Sequence, residues 1–265
     1  MTPIALTIAG SDSGGCAGIQ ADLKTFSALG VFGASAITAI TAQNTQGVTA
    51  VEILSPALVS AQIRAVLTDL RVGAAKIGMA GNAAVIKAIA DAVGDAPIPI
   101  VLDPVMVASS GDRLLAAEAV AALRRHLLPI ATLVTPNLPE AAILSNRLVA
   151  RDEAEMRAQG EAILADGARA VLVKGGHLGA AESVDLLLDG SGAVIRLPAQ
   201  RIDTTHDHGT GCTLSAAIAA ELAKGAALGE AVAAGKAYLT AALAAADTLA
   251  VGTGRGPVHH FHRWW

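Results

Sequence analysis

Short apolar runs alternate with longer stretches of helical period along this chain, and the alternation predicts a three-layer α/β/α sandwich on a mostly parallel sheet. Two further observations agree. Of 265 residues, 53% are hydrophobic but only 2% are aromatic, so the apolar mass is Ala, Val, Leu and Ile, the material of close-packed helices on a buried sheet. Strand-like runs at 183–188 and 193–197 flank Asp189-Gly190-Ser191-Gly192, a hairpin signal that gives the sheet an antiparallel edge. No repeat or low-complexity linker breaks the chain, and residues 1–265 read as one domain.

The composition excludes several function classes. A net charge of −4 with basic residues scattered singly gives no footprint for nucleic acid or a membrane surface. Residues 25–51 carry no charge, but Gln43, Asn44, Gln46 and three Gly punctuate them, so they read as buried strands rather than a membrane span. Met1-Thr2-Pro3 lacks the basic start of a signal peptide, and Cys16 and Cys212 are set neither as a close pair nor at metal-ligand spacing. Reduced thiols and a cytoplasmic location are the expectation.

In order, residues 4–8 form a central strand that delivers Ser11-Asp12-Ser13-Gly14-Gly15-Cys16-Ala17-Gly18 to the carboxyl edge of the sheet, where open α/β sheets bind ligands. This loop fails the dinucleotide fingerprint, which needs Gly at Asp12, and the P-loop, which needs Lys after Gly15. Helix follows from about Ile19, with Asp22 and Lys24 in its first turns. The run 31–42 ends in Gln43-Asn44-Thr45-Gln46-Gly47, either a polar turn or a set of amides suited to a neutral heterocycle with ring nitrogens.

Helix 58–70 leads to strand 74–77 and Gly78-Met79, where Met79 is core or a ligand contact. Helix 82–93 and strand 98–102 bring in Asp103-Pro104, a carboxylate that serves a metal, a phosphate or only a turn. After helix 116–127 and strand 131–135, Asn137 and Glu140 either cap the next helix or act on a metal or phosphate. Helix 152–165 and strand 170–173 precede Lys174-Gly175-Gly176-His177, a phosphate contact or a solvated turn.

The stretch His206-Asp207-His208-Gly209-Thr210-Gly211-Cys212-Thr213 runs into an alanine-rich helix, 212–223, and a second follows at 230–246. Gly209 and Gly211 remove side chains, so backbone N–H groups converge on an anion at a helix N-terminus. Cys212 stands in the first turn, where the helix dipole is expected to depress its pKa. Both tryptophans close the chain in Val258-His259-His260-Phe261-His262-Arg263-Trp264-Trp265, which suggests a tail docked on the body or on a second subunit.

Gly10-Ser11-Asp12-Ser13-Gly14-Gly15, Gly18-Ile19-Gln20-Ala21-Asp22, Ala42-Gln43-Asn44, Lys76-Ile77-Gly78-Met79, Leu102-Asp103-Pro104-Val105-Met106, Thr135-Pro136-Asn137-Leu138-Pro139-Glu140, Lys174-Gly175-Gly176-His177 and His208-Gly209-Thr210-Gly211-Cys212-Thr213 occur in this order. Together with the His-Trp tail they closely resemble the bacterial hydroxymethylpyrimidine/phosphomethylpyrimidine kinases of thiamine biosynthesis, in the ribokinase-like superfamily. The resemblance implies ATP-dependent phosphorylation of 4-amino-5-hydroxymethyl-2-methylpyrimidine and then of its monophosphate, with Mg²⁺, in a homodimer. It implies that Gln43 reads the pyrimidine, with Gly10, Asp22 and Met79 lining the pocket. Asp103, Asn137 and Lys174 would serve ATP, and Asp103 and Glu140 the metal. Gly209, Thr210 and Gly211 would form the anion hole, and Cys212 would stand where sugar kinases carry a catalytic aspartate.

Three positions depart from the pattern: Asp207 adds a carboxylate beside the anion loop, Cys16 replaces the usual Gly or Ala, and Ser109 a common Lys or Thr. A pyridoxal or pyridoxine kinase is the neighbouring reading, although such kinases mostly carry aspartate at the position of Cys212. A pyrimidine-binding regulator without catalysis is the alternative from another class.

Overall fold

A computed structural model describes residues 1–94, 96–106, 116–176 and 182–265. Strand β1 (Ile4–Asp12) leads into α1 (Gly18–Ala28), β2 (Phe32–Asn44) and β3 (Gly47–Ile53) form a hairpin, and α2 (Pro56–Asp69) precedes β4 (Ala74–Ile77). Then come α3 (Ala83–Val93), β5 (Ile100–Leu102), α4 (Ala117–His126), β6 (Leu133–Val134), α5 (Leu138–Ser145), α6 (Glu153–Ala165) and β7 (Ala170–Lys174). The hairpin β8 (Glu182–Asp189) and β9 (Val194–Gln200) precedes α7 (Thr210–Ala223) and α8 (Leu228–Ala244). Local capping sets several of these starts: Ser55 accepts from Leu58 N before Pro56 opens α2, and Asn82 and Asp152 do the same for α3 and α6.

The strands form one sheet in the order β3-β2-β1-β4-β5-β6-β7-β8-β9. Neighbours from β2 to β7 run parallel, while β3, β8 and β9 pair antiparallel with their neighbours. The chain leaves β1 toward β2 on one side and continues from β4 on the other, so a topological switch point opens between the carboxyl ends of β1 and β4. The predicted antiparallel edge is β8 and β9; the β2–β3 hairpin adds a second one. That second edge corrects the reading of 25–51 as buried strands. Thr25 lies in α1, and β3, which ends past Glu52 at the edge of the sheet, has no buried residue.

Alternation along the strands feeds two cores. Leu6, Ile8, Ile100 and Leu102 face α2 to α6, with Ile63, Ile86, Leu123, Leu144 and Ile163 in the same cluster. Ala5, Ala74, Val101 and Ala170 face the other layer, where they meet Phe26 of α1 and Ala216, Ala219 and Ala220 of α7. Small residues on both sides let α7 approach closely, and a Cβ on Gly73 would stand 2.8 Å from the Ala223 carbonyl oxygen. Among the described residues, no helix is long and apolar enough to cross a membrane.

One buried ion pair ties α8 to the end of β7. Lys236 Nζ donates to Asp185 Oδ2 at 2.6 Å, and Asp185 Oδ1 accepts from Gly175 N at 3.0 Å, next to Lys174. Lys236→Met strands the Asp185 carboxylate at 9% side-chain exposure. We expect a loss of about 3–5 kcal/mol in urea unfolding. A loss below about 1 kcal/mol would show that water reaches the carboxylate.

Candidate active site

Loops from the carboxyl ends of β1, β2, β4, β5, β6 and β7 and the start of α7 surround a cavity of about 340 Å³ at the switch point. Each wall has a distinct local cause.

On the β1–β2 side, Asp12 shapes the glycine loop. Its Oδ1 accepts from Gly14 N at 2.8 Å, and its Oδ2 from Cys16 N at 2.9 Å and Ala17 N at 2.8 Å. Burial opposes its ionisation, but His208 and these three N–H groups outweigh it and hold the carboxyl below its ordinary pKa. Gln43 Nε2 lies 3.0 Å from His208 Nε2, and its Oε1 accepts from Thr41 Oγ1 at 3.1 Å. The loop and the start of α7 touch directly. Gly209 has φ +82°, and a Cβ on it would stand 2.0 Å from the Cys16 carbonyl oxygen, so only glycine is accommodated.

At the floor, Lys76 of β4 is fully buried, with Nζ 3.0 and 2.9 Å from the two oxygens of Asp22 on α1. Thr7 Oγ1 donates to the same carboxylate at 2.6 Å. Burial alone would push the Lys76 ammonium toward neutrality, yet Asp22, with Cys212 and Asp103 beyond it, raises its pKa and keeps it charged. Gly78 leaves room for this ammonium, since a Cβ there would come within 2.8 Å of Nζ.

On the far side, Asp103 Oδ1 accepts from Lys174 Nζ at 3.1 Å and from Thr135 Oγ1 at 3.3 Å, and its Oδ2 accepts from Ser215 Oγ at 3.4 Å. Asn137 and Glu140 form a capping box at α5: Asn137 N donates to Glu140 Oε2 at 2.8 Å, and Glu140 N to Asn137 Oδ1 at 2.9 Å. Burial raises the Glu140 pKa to about 7, and the Asp103 charge adds to the rise against the pull of Lys174. A Cβ on Gly211 would lie 3.4 Å from Lys174 Nζ and 3.5 Å from Asp103 Oδ2, so glycine keeps this cradle open.

The cradle fits a divalent cation only in part. Among the described residues, no three His, Cys, Asp or Glu side chains converge as a complete cage. Asp103 and Glu140 offer two hard carboxylates with one lysine between them, the protein share usual for Mg²⁺ that completes its shell with phosphate and water.

A glycine cradle at a helix N-terminus, a lysine–aspartate pair and an amide line one cavity, a set suited to an anionic ligand, and comparison with known proteins shows the family. The family model for phosphomethylpyrimidine kinase matches residues 12–259. The chain belongs to that family, and it is a kinase. It is 66% identical over 265 residues to a hydroxymethylpyrimidine/phosphomethylpyrimidine kinase of Rhizobium meliloti, covering 100% of this chain and 99% of the relative. Among solved structures, a phosphomethylpyrimidine kinase from Clostridium difficile is 45% identical with TM-score 0.78, covering 89% of this chain and 97% of that one. An ADP complex of Bacillus subtilis pyridoxal kinase is 38% identical with TM-score 0.90, covering 98% of each chain. The ribokinase-like fold expected from the motifs is the fold of these neighbours.

Within this kinase, the cavity wall includes Gly10, Gln43, Met79, Asp103, Asn137, Glu140, Lys174, Gly209, Thr210, Gly211 and Cys212. Asp22 is not part of the lining: it stands behind Lys76, with no exposed surface. Ser109 and His177 lie outside the described residues. Asp207 receives the guanidinium of Arg255, from Nε at 2.8 Å and from Nη2, so it is neither free for a cation nor idle in solvent.

The tail docks through its histidines rather than its tryptophans. Tyr238 Oη donates to the His260 carbonyl at 2.6 Å, and His260 Nε2 lies 3.1 Å from Thr213 Oγ1 in the first turns of α7. Trp264 and Trp265 remain 68% and 73% exposed.

Sequence reading gave no role to Asp12, Lys76, His208 or Arg255. A lysine inside an apolar strand, Lys76 in β4, was the available signal for one of them, since a buried lysine requires a partner.

The expected depression of the Cys212 pKa is overturned. Burial raises it to about 11; Lys76 pulls it down, but Asp22 and Asp103 push it up. The helix-terminus argument left out burial and the nearby carboxylates of Asp22 and Asp103, all of which work against the thiolate. At pH 7 the free enzyme should hold about one part in ten thousand of Cys212 as thiolate. Iodoacetamide labelling of the Cys212 peptide should therefore rise about tenfold per pH unit up to pH 10. A plateau below pH 8 would refute the raised pKa.

Proposed function

We propose that this kinase transfers the terminal phosphoryl group of ATP to the hydroxymethyl group of 4-amino-5-hydroxymethyl-2-methylpyrimidine, and then to the resulting monophosphate. The relatives at high identity carry names for this activity. The observation that carries the reading is one cavity lined by Gln43 and His208, 3.0 Å apart, together with the Gly209–Gly211 cradle and the Lys174–Asp103 pair. An amide and an imidazole offer donors and acceptors to the edge of an aminopyrimidine. The cradle's N–H groups meet charge that develops on the transferring phosphoryl group.

Asp103, Asn137 and Lys174 hold the nucleotide phosphates, and Asp103 and Glu140 hold Mg²⁺. When bound, the ion neutralises phosphate charge and fixes its geometry. Lys174 brings a charged donor on a turn fixed by Asp185, and Lys76 keeps a permanent positive charge in the floor. Cys212 accepts the proton of the hydroxymethyl group as the new P–O bond forms. Its raised pKa makes the thiolate a stronger base but a rare one at neutral pH.

The second acceptor is already an ionised phosphate and needs no base. In a coupled ATP assay the first acceptor, its monophosphate and pyridoxal are tested side by side. Wild-type kcat for the first step should rise with pH between 6 and 9. Cys212→Ala should remove that rise and lower the first step about 10²- to 10⁴-fold, with a much smaller effect on the second. Equal losses in both steps would make Cys212 a positioning group. A kcat/KM for pyridoxal above that for the pyrimidine would favour the pyridoxal kinase reading, which the TM-score of 0.90 to such a kinase keeps in view.

A homodimer and a cytoplasmic setting complete the proposal. Edge strand β3 is unpaired on its outer side, and Ile40, Val51 and Ile53 on this hairpin are 51%, 44% and 37% exposed, an apolar edge that a second copy can cover. Light scattering should give twice the chain mass of 26.5 kDa. Val51→Lys with Ile53→Lys should return it to the single value, and a wild-type monomer would end the dimer proposal. Cys16 and Cys212 are both free thiols, which fits a reducing compartment.

A further inference from the structure

We infer that Arg255 recognises the phosphate of the second acceptor and thereby sets the selectivity between the two phosphorylations. The inference rests on the two-step reading above. The two acceptors share a ring and differ by a phosphomonoester dianion on the hydroxymethyl arm, and that dianion must lie between the ring and the cradle. Among the described residues, three cations line the cavity: Lys76, Lys174 and Arg255. Lys76 has no exposed surface and both oxygens of Asp22 hold it, while Lys174 is held by Asp103 on the nucleotide side. The Arg255 side chain is 56% exposed against 15% for Lys174 and none for Lys76, so of the three it is the most open to an incoming anion and the one not already assigned to the nucleotide.

Its anchoring ties the loop after β2 to the start of α7. Arg255 N donates to Thr45 O at 2.9 Å, two residues beyond Gln43, and Gly254 N donates to Thr45 Oγ1 at 3.2 Å. On the other side, His208 N donates to Gly256 O at 3.0 Å, and the guanidinium binds Asp207, two residues before Gly209. One segment of backbone thus spans from the ring end to the cradle. Asp207 takes the Nε and Nη2 hydrogens and orients the fork, which leaves the Nη1 amino group for a phosphate oxygen. This gives the Asp207 carboxylate a purpose beside an anion loop: it holds the arginine in place, and the pair carries no net charge while the neutral first acceptor is bound.

Steady-state kinetics with each acceptor separately, at saturating ATP and Mg²⁺, test the inference on wild type, Arg255→Gln, Arg255→Lys and Asp207→Asn. Arg255→Gln should raise KM for the monophosphate about 10- to 100-fold, the scale of a lost charge-assisted contact, while its kcat changes by no more than about threefold. The ratio of kcat/KM values for the two acceptors should shift at least tenfold against the monophosphate. Arg255→Lys should recover part of that shift, and Asp207→Asn should lose part of it by freeing the fork. Rising salt should weaken wild-type use of the monophosphate more than that of Arg255→Gln. Equal losses for both acceptors would show that Arg255 only pins its loop, and unchanged kinetics would place the phosphate elsewhere; either result overturns the inference alone. A wild type that phosphorylates neither acceptor would overturn the two-step reading and this inference with it.

Discussion

The buried contact between Lys76 and Asp22 sets the terms for the rest of the site. It joins β4 to α1 beneath the switch point, with Thr7 of β1 completing the carboxylate's hydrogen bonds, so the three elements that meet there are locked by one polar cluster. A buried ion pair is a poor way to stabilise a fold, because desolvation offsets most of the attraction and an apolar replacement is often as stable. What an apolar replacement would not supply is a fixed positive charge in the cavity floor. That charge also bears on Cys212, where Lys76 is the largest influence working against the burial that raises the thiol's pKa.

The same pairing recurs around the cavity. Lys174 meets Asp103 and Arg255 meets Asp207, so among the described residues each cation in the wall has its own carboxylate. Asp12 is held by backbone N–H groups, and Glu140 sits near half protonation at neutral pH. A site that must take in highly charged phosphates is thereby kept close to balance before they arrive. The pairs differ mainly in exposure, from complete burial at Lys76 to more than half exposed at Arg255. Exposure decides which of them can exchange a carboxylate for a phosphate, since water and ligand reach the outer pair and not the inner one.

Much of the fold was legible because its signals are local. Apolar runs of four or five residues, Asn137 with Glu140 three positions later, and the Asp-Gly-Ser-Gly turn all act within one turn or strand, and the structure has elements at these places. What escaped depends on contacts across the chain. Asp22 reads as a pocket residue until Lys76, 54 positions away, is found in front of it. Asp207 has no sense without Arg255, 48 positions on. Cys212 reads as activated from the helix start alone, and only the packing of α1, β4 and β5 around it reverses the sign. The β3 edge was missed for the converse reason, since Val, Ala and Thr are compatible with a buried strand and with an exposed one, and the one charge of the strand, Glu52, lies just past the uncharged run.

The frame itself does not choose the acceptor. Kinases named for a pyrimidine and kinases named for pyridoxal share this sheet and this switch point, so backbone geometry alone leaves both rings admissible. The choice then falls to side chains carried on loops. Here those loops are the end of β2 with Gln43, the start of α7 with Asp207 and His208, and the segment at Arg255, which hydrogen bonds join into one continuous wall. Because the wall is tied together, a change at one position alters how the others are presented. If Gln43 and Arg255 act as proposed, acceptor preference is a property of the linked wall, which Gln43 does not determine alone.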